Sequence, residues 1–169
     1  MTWLPFELHP EAPPEGIPRE VYFGARTEQI RARLQSVAAQ AGLTMEQRDV
    51  IINSRRALGA AEFAREQGKF EDMHNALFKA HWERTAKLED IEDLVRVGTT
   101  VGLDSAELRT ALEEGRYDPV IDENRMMASS VGIDAIPAHI FGRRYLVVGA
   151  QPYEAFLQVV DRLRRPPAE

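Results

Sequence analysis

The sequence predicts an α/β fold carrying an all-helical insertion, and three observations predict it. Residues 54–115 have helical apolar spacing almost throughout. Two short β-rich runs, "AHIF" and "YLVV", are joined by the turn "GRR", a compact hairpin signal. A helix-period run stands on either side of that hairpin, Val120–Val131 before it and Glu154–Leu163 after it. With 169 residues, 44% hydrophobic and 28% charged, the chain has enough apolar content for one real core, so residues 1–169 read as one domain with 54–115 inserted into it.

The elements follow from local chemistry. In "TWLPFELHP", Trp3, Phe6 and Leu8 are apolar and Pro5 interrupts, which predicts one strand at a sheet edge or bulge. The next stretch holds Pro10, Pro13, Pro14, Gly16 and Pro18, so it reads as a stiff surface connection. From Thr27, the residues Ile30, Leu34, Val37, Ala38 and Ala41 recur at helical spacing, and Gly42 stops the helix. Thr44 and Gln47 stand at capping-box spacing, and "VIIN" from Val50 is a short apolar run.

The insertion begins with Ala57, Ala60, Ala61 and Ala64, a narrow face suited to close packing, and Gly68 breaks that helix. In "FEDMHNALFKAHW", Phe70, Met73 and Leu77 recur at helical spacing, with Phe78 and Trp82 one turn apart, and the helix is expected to pack heavily into a core. Ile91, Leu94, Val95 and Val101 mark another helix, ended by Gly102. Asp104 offers a carboxylate N-cap with Glu107 three residues on, opening a helix that buries Leu108, Ala111 and Leu112 and stops near Gly115. The long helix from Val120 ends at Gly132, and "RRPPAE" after the last helix reads as a frayed tail.

Several functions are excluded by what is present. A net charge of −6 and a pI near 5.3 leave no broad basic surface, although Arg143, Arg144, Arg162, Arg164 and Arg165 gather towards the C-terminus, so nucleic acid is not an expected partner. No apolar run approaches the roughly 18 to 20 residues that span a bilayer, and no basic segment leads into an apolar one at the start. We expect no membrane partner and a cytoplasmic location. The chain has no cysteine, so thiol catalysis, disulfides and thiolate metal sites are outside its own chemistry. His74 and His81 lie seven apart, whereas helical metal ligands sit three or four apart, so neither a metal nor any other cofactor is expected. Glu113 and Glu114 read as a solvated helix end, Ser129 and Ser130 lack the signature of an activated nucleophile, and Phe78 and Trp82 read as core.

The blocks "WLPFELHPEAPPEG", "NSRRALGAAEFAREQGKFEDMHNALFKAHW", "GLDSAEL", "GIDAIPAHIF" and "YLVVGAQPYEAF" resemble, in order and spacing, those of the FrnE-type branch of the DsbA family of thiol-disulfide oxidoreductases. The resemblance covers nearly the whole chain. It implies a thioredoxin-like, DsbA-type fold with a helical insertion, a cis peptide before Pro137, and substrate docking by an extended polypeptide at Ile136, Pro137 and Ala138. The family favours Val-Pro-Thr where this chain has Ile136, Pro137 and Ala138, so the hydroxyl after the proline is lost while backbone pairing is kept. His139 follows the proline, and its charge switch near pH 6.5 offers a way to tune binding, beside the plainer role of filling space.

In that family a strand and helix with a Cys-Pro-Trp-Cys type motif precede the block that begins here at Trp3, and the same resemblance implies that this N-terminal βα unit is absent. The chain alone is therefore expected to be redox-inactive and to keep the docking region. A sheet of "WLPFEL", "AHIF" and "YLVV" would then carry unpaired edges, and we expect a homodimer to cover them. The alternatives are a non-catalytic binding or assembly protein and a relative of glutathione-dependent 2-hydroxychromene-2-carboxylate isomerases, for which Asn53 and Ser54 would supply a polar pair.

Overall fold

Among the described residues of this computed structural model, 1–43, 45 and 47–165, helices dominate and strands are short. The order is β1 (Ile17–Pro18), α1 (Arg19–Phe23), a 3-10 turn (Gly24–Arg26), α2 (Thr27–Gln40), β2 (Val50–Ile51), α3 (Arg55–Glu66), α4 (Phe70–Trp82), α5 (Ile91–Thr100), α6 (Ser105–Glu113), α7 (Asp118–Ser130), β3 (Ala138–Phe141), β4 (Tyr145–Val148) and α8 (Tyr153–Arg164). They form two compact units, Met1–Asn124 and Arg125–Glu169.

The first unit is built on α3 to α6. The small residues Ala57, Gly59, Ala60, Ala61 and Ala64 of α3 are buried and let its backbone approach its neighbours. Phe63, Met73, Leu94 and Leu108, all fully buried, fill the space between the helices, and Tyr117 joins the same core. Gly98 shows how close the packing is: a Cβ there would lie 2.5 Å from Cδ2 of Leu108. Asp104 caps α6 by accepting hydrogen bonds from the backbone N–H groups of Ala106 and Glu107, and Asp90 caps α5 through Asp93 N–H. Gly42, Gly68, Gly102, Gly115 and Gly132 follow helix ends in the left-handed conformation, as the stop signals predict.

Three expectations for this unit need correction. "WLPFEL" forms no strand. Its buried residues are Pro5 and Glu7, not the alternating Trp3, Phe6 and Leu8, and side chains rather than a ladder hold it: Arg55 pairs with Glu7, and Arg65 donates to the Trp3 carbonyl at 2.9 Å. Pro5 contributes no N–H to a ladder. The pairing that does form in the unit is antiparallel β1 with β2, Ile17 opposite Ile51 and Pro18 opposite Val50. Gly16 permits that approach, since a Cβ there would lie 2.8 Å from the Ile51 carbonyl oxygen. The second correction concerns α4, which buries Met73, Leu77 and Ala80 but leaves Phe78 56% exposed. The third is α2, where only Thr27 and Ala38 are buried while Leu34 and Val37 face solvent. The Thr44 cap lies outside the described residues.

In the second unit β3 and β4 form an antiparallel hairpin with Ala138 opposite Val148, His139 opposite Val147, Ile140 opposite Leu146 and Phe141 opposite Tyr145. Alternation puts His139, Phe141, Tyr145 and Val147 on one face, where α8 packs Phe156 against the His139 and Phe141 rings. Ile140 and Leu146 lie on the opposite face and are exposed.

Candidate functional site

The loop between α7 and β3 brings Ile136, Pro137 and Ala138 together at the entry to the hairpin. The Ile136–Pro137 peptide is cis. The Pro137 carbonyl accepts a hydrogen bond from Gly149 N–H at 2.7 Å, which extends the β3–β4 ladder by one rung and fixes the loop against the hairpin. One residue earlier the pairing stops: Ile136 is 50% exposed, and among the described residues its N–H and C=O have no hydrogen-bond partner. Exposed backbone groups beside a paired strand are what an extended peptide uses for docking.

Ala138 and His139 are half-buried in β3. The His139 ring stands edge-on to Phe156 at 5.0 Å between centroids, and its Nδ1 is sealed from solvent without a hydrogen-bond partner. The ring thus fills space against α8. The outer edge of β3 pairs with no strand among the described residues.

Elsewhere the sequence reading passed over two arrangements, both in the first unit. Arg55, at the start of α3, is an ionic hub: its Nε and Nη2 bind the two carboxylate oxygens of Glu7 at 3.2 and 2.8 Å, Nη2 also reaches Asp122 at 2.6 Å, and Nη1 lies 3.4 Å from Asp118. The hydrogen bond with Asp122, opposed by burial and assisted by Glu7, raises the Arg55 pKa and fixes its charge. Glu7, a carboxylate inside an apolar run, was the visible signal. Beside the hub lies a cleft of about 370 Å³ between the start of α3 and the end of α6.

The second arrangement is a stripe of rings along α4. Phe70, His74 and Phe78 follow one another at four-residue spacing, Trp3 packs on His74 at 4.9 Å, and the Arg65 guanidinium covers Phe70 at 3.8 Å. Burial lowers the His74 pKa below the usual imidazole value. His81 is pushed down to about 4, first by burial and then by Arg48 and Arg19 nearby. Asn53 and Ser54 precede α3, where the Asn53 side chain is engaged, donating to the Ala12 carbonyl and accepting from Arg55 N–H. No group of three histidines or carboxylates among the described residues is placed to hold a metal ion, and no helix among them is long and apolar enough to cross a membrane.

The family model of the DSBA-like thioredoxin domain matches residues 1–161. The chain belongs to this family. The fold agrees: this DSBA-like chain superposes with a TM-score of 0.83 on the crystal structure of a probable DsbA oxidoreductase from Streptomyces coelicolor, 26% identical, over 97% of this chain and 76% of that one. A Bacillus subtilis (strain 168) protein described as uncharacterized, YwbO, is 26% identical over 164 residues, 95% of this chain and 80% of that protein. The DSBA-like, thioredoxin fold expected from the sequence is therefore the fold observed, here with its strands in two separate pairs.

Proposed function

We propose that this chain is a FrnE-type member of the DsbA family that keeps a polypeptide-docking region at its proline loop, and that these 169 residues alone turn over no disulfide. The observation that carries the reading is the exposed backbone of Ile136, without a hydrogen-bond partner among the described residues, next to Pro137 at the head of β3 in a DSBA-like chain without cysteine. Disulfide exchange needs an attacking thiolate, and serine or threonine hydroxyls have neither the nucleophilicity nor the redox reversibility. The docking step needs only backbone pairing at an exposed strand entry, which the stretch Ile136, Pro137 and Ala138 offers. His139 follows the loop directly and holds its ring edge-on against Phe156.

Two assays test this together. In the dithiothreitol-driven reduction of insulin, the chain should leave the rate at the uncatalysed level, and any turnover that depends on it overturns the redox-inactive reading. Titration with reduced, unfolded insulin A chain should shift the backbone resonances of Ala135 to Ala138 saturably, and an absence of such shifts overturns the docking reading in favour of a protein whose binding surface lies elsewhere.

Assembly and location belong to the same proposal. The unpaired outer edge of β3, with no charged residue in "AHIF", supports pairing with a second copy of the chain. Light scattering that gives a mass of about 19 kDa at micromolar concentration overturns the homodimer. Fractionation of cells that express the gene from its own locus tests the cytoplasmic location.

A further inference from the structure

We infer that the polypeptide docked at the proline loop is an extended acidic one, whose carboxylates are received by a cluster of arginines at the far end of β3. The inference rests on the docking reading and names the chemistry of what docks. Arg143 and Arg144 stand in the turn between β3 and β4, and Arg162, Arg164 and Arg165 stand at the end of α8. Packing brings the two groups to one end of the second unit: Leu163 lies so close to Gly142 that a Cβ on the glycine would meet Leu163 Cδ2 at 2.8 Å. All of these arginines are exposed, and among the described residues none has a side-chain hydrogen bond or an ion pair. The Arg144 guanidinium lies 5.8 Å from the Tyr145 ring, a contact that supplies no counter-charge.

The helix dipole accounts for part of this charge. Cations in the last turn of a helix face the partial negative charge of its last carbonyls, which suits Arg162 and Arg164. Arg143 and Arg144 belong to no helix. The second unit holds six arginines against four acidic side chains, in a chain whose net charge is −6. Like charges gathered on one surface repel one another, and a partner that carries carboxylates relieves the repulsion.

The edge of β3 links the cluster to the loop. The strand leads from Ala138, beside Ile136 and Pro137, to Phe141, beside the turn, and its outer edge pairs with no strand among the described residues. At about 3.3 Å per residue, a peptide strand laid along that edge reaches the turn about six residues from the one opposite Ile136. Guanidinium groups bind carboxylates through paired N–H donors, so several of them together take acidic residues in succession. The edge itself, "AHIF", contains neither a carboxylate nor an arginine, which confines charge recognition to one end. A second copy of "AHIF" brings no carboxylate to the arginines, so an acidic polypeptide is the better complement and displaces it.

The test uses the whole chain labelled with nitrogen-15, with the backbone resonance of Ala138 reporting the loop and that of Gly142 the turn. The probes are acetyl-Val-Thr-Val-Thr-Val-Glu-Glu-Glu-amide, acetyl-Glu-Glu-Glu-Val-Thr-Val-Thr-Val-amide, and the first peptide with glutamine for glutamate. The acidic peptide whose glutamates meet the turn is expected to bind about tenfold more tightly than the glutamine peptide at low salt, and to lose that advantage at about 0.5 M salt, because exposed charge pairs are individually weak and screened. Which acidic peptide gains sets the direction of the docked strand. Equal gains in both describe a diffuse field, and no gain in either describes no recognition; both results overturn the inference. An oligothymidylate of equal charge that shifts Gly142 as strongly makes the cluster a general anion surface and overturns it too. Light scattering at saturating acidic peptide should give a single chain, and a dimer that persists there keeps the edge for a second copy, which also overturns it. Replacing Arg143→Gln with Arg144→Gln, or Arg162→Gln with Arg164→Gln, should each reduce the gain about threefold, while Arg33→Gln on α2 leaves it unchanged. These side chains are exposed, so the variants keep every buried contact, and an undiminished gain in both pairs overturns the inference. Saturable shifts at Ala138 from the glutamine peptide, without a gain from glutamate, leave docking standing and overturn acidic selection alone. No shift at Ala138 from any peptide overturns the docking reading, and this inference with it.

Discussion

Two substitutions at one ion pair should have very different costs. Glu7 has 1% of its side chain exposed and Arg55 has 25%, and the two meet through a fork of two hydrogen bonds at 3.2 and 2.8 Å. Arg55→Met leaves the Glu7 carboxylate in a dry site with no cation, which costs about 3–5 kcal/mol. Glu7→Gln leaves Arg55 with Asp122 at 2.6 Å and Asp118 at 3.4 Å, and the glutamine oxygen still accepts one hydrogen bond. Its cost is the difference between a charge-assisted and a neutral bond, about 1–2 kcal/mol. In the double variant the buried charge is gone as well, so it should be more stable than Arg55→Met alone. Urea unfolding followed by tryptophan fluorescence measures all three, and since Trp3 and Trp82 both lie in the first unit, the signal reports the unit that holds the pair. Equal costs for the two single variants, or a double variant less stable than Arg55→Met, would refute the claim that the desolvated carboxylate decides the outcome.

Acid should destabilise the first unit through His81. Its pKa is pushed down to about 4 in the folded chain against 6.5 when unfolded, so the unfolded state binds more protons between these values and stability, full above pH 6.5, falls as pH drops towards 4. The unscreened difference is about 3 kcal/mol, and solvent around a partly exposed ring reduces it to about 1–2 kcal/mol; His81→Asn should flatten that part of the stability-against-pH curve, while the lowered His74 pKa contributes in the same direction. Gly98→Ala should cost about 1–3 kcal/mol because its Cβ would lie 2.5 Å from Cδ2 of the fully buried Leu108. Leu108→Ala alone should cost about 2–5 kcal/mol, and the double variant less than the sum, so strict additivity in thermal unfolding would show that the clash relaxes elsewhere. Tyr117→Phe removes the 2.6 Å hydrogen bond to Glu66 and should cost about 1 kcal/mol; it should also abolish the late phenol ionisation, pushed up to about 12 by burial and then by Glu66, in an ultraviolet titration.

The helices were legible because their determinants are local. Ala57, Ala60, Ala61 and Ala64 declare a buried face within two turns, Asp104 caps the N–H groups two and three residues on, and Gly42, Gly68, Gly102, Gly115 and Gly132 mark where the chain turns left-handed after a helix. The β3–β4 hairpin was legible for the same reason, since four residues alternate on each side of a short turn. A strand assignment for "WLPFEL" needed something that no local pattern contains, namely a neighbour to pair with. What holds that segment is Arg55, 48 residues away from Glu7, and an ion pair at such a separation leaves no periodicity to read. The exposed positions of α2 fail in the same manner: Leu34 and Val37 lie on a helical stripe, yet a stripe states which residues face one direction and not whether anything stands there.

The candidate docking site divides along the same line between side chains and backbone. Its residues were named from the resemblance carried by "GIDAIPAHIF", but the property that makes them useful belongs to main-chain groups, which every non-proline residue carries alike. Only the hairpin's register, ending with Gly149 N–H on the Pro137 carbonyl, determines that the next residue back, Ile136, has no hydrogen-bond partner among the described residues. The acidic cleft is less legible still. Glu89 precedes α5, Glu113 ends α6 and Asp118 opens α7, and each alone is an ordinary polar residue at a helix boundary. Their convergence depends on the turns after α4 and α6 and on how α3 packs against α6. A cleft lined by chain ends is therefore a product of helix packing, and the helix-by-helix reading that succeeds for the fold has no means of seeing it.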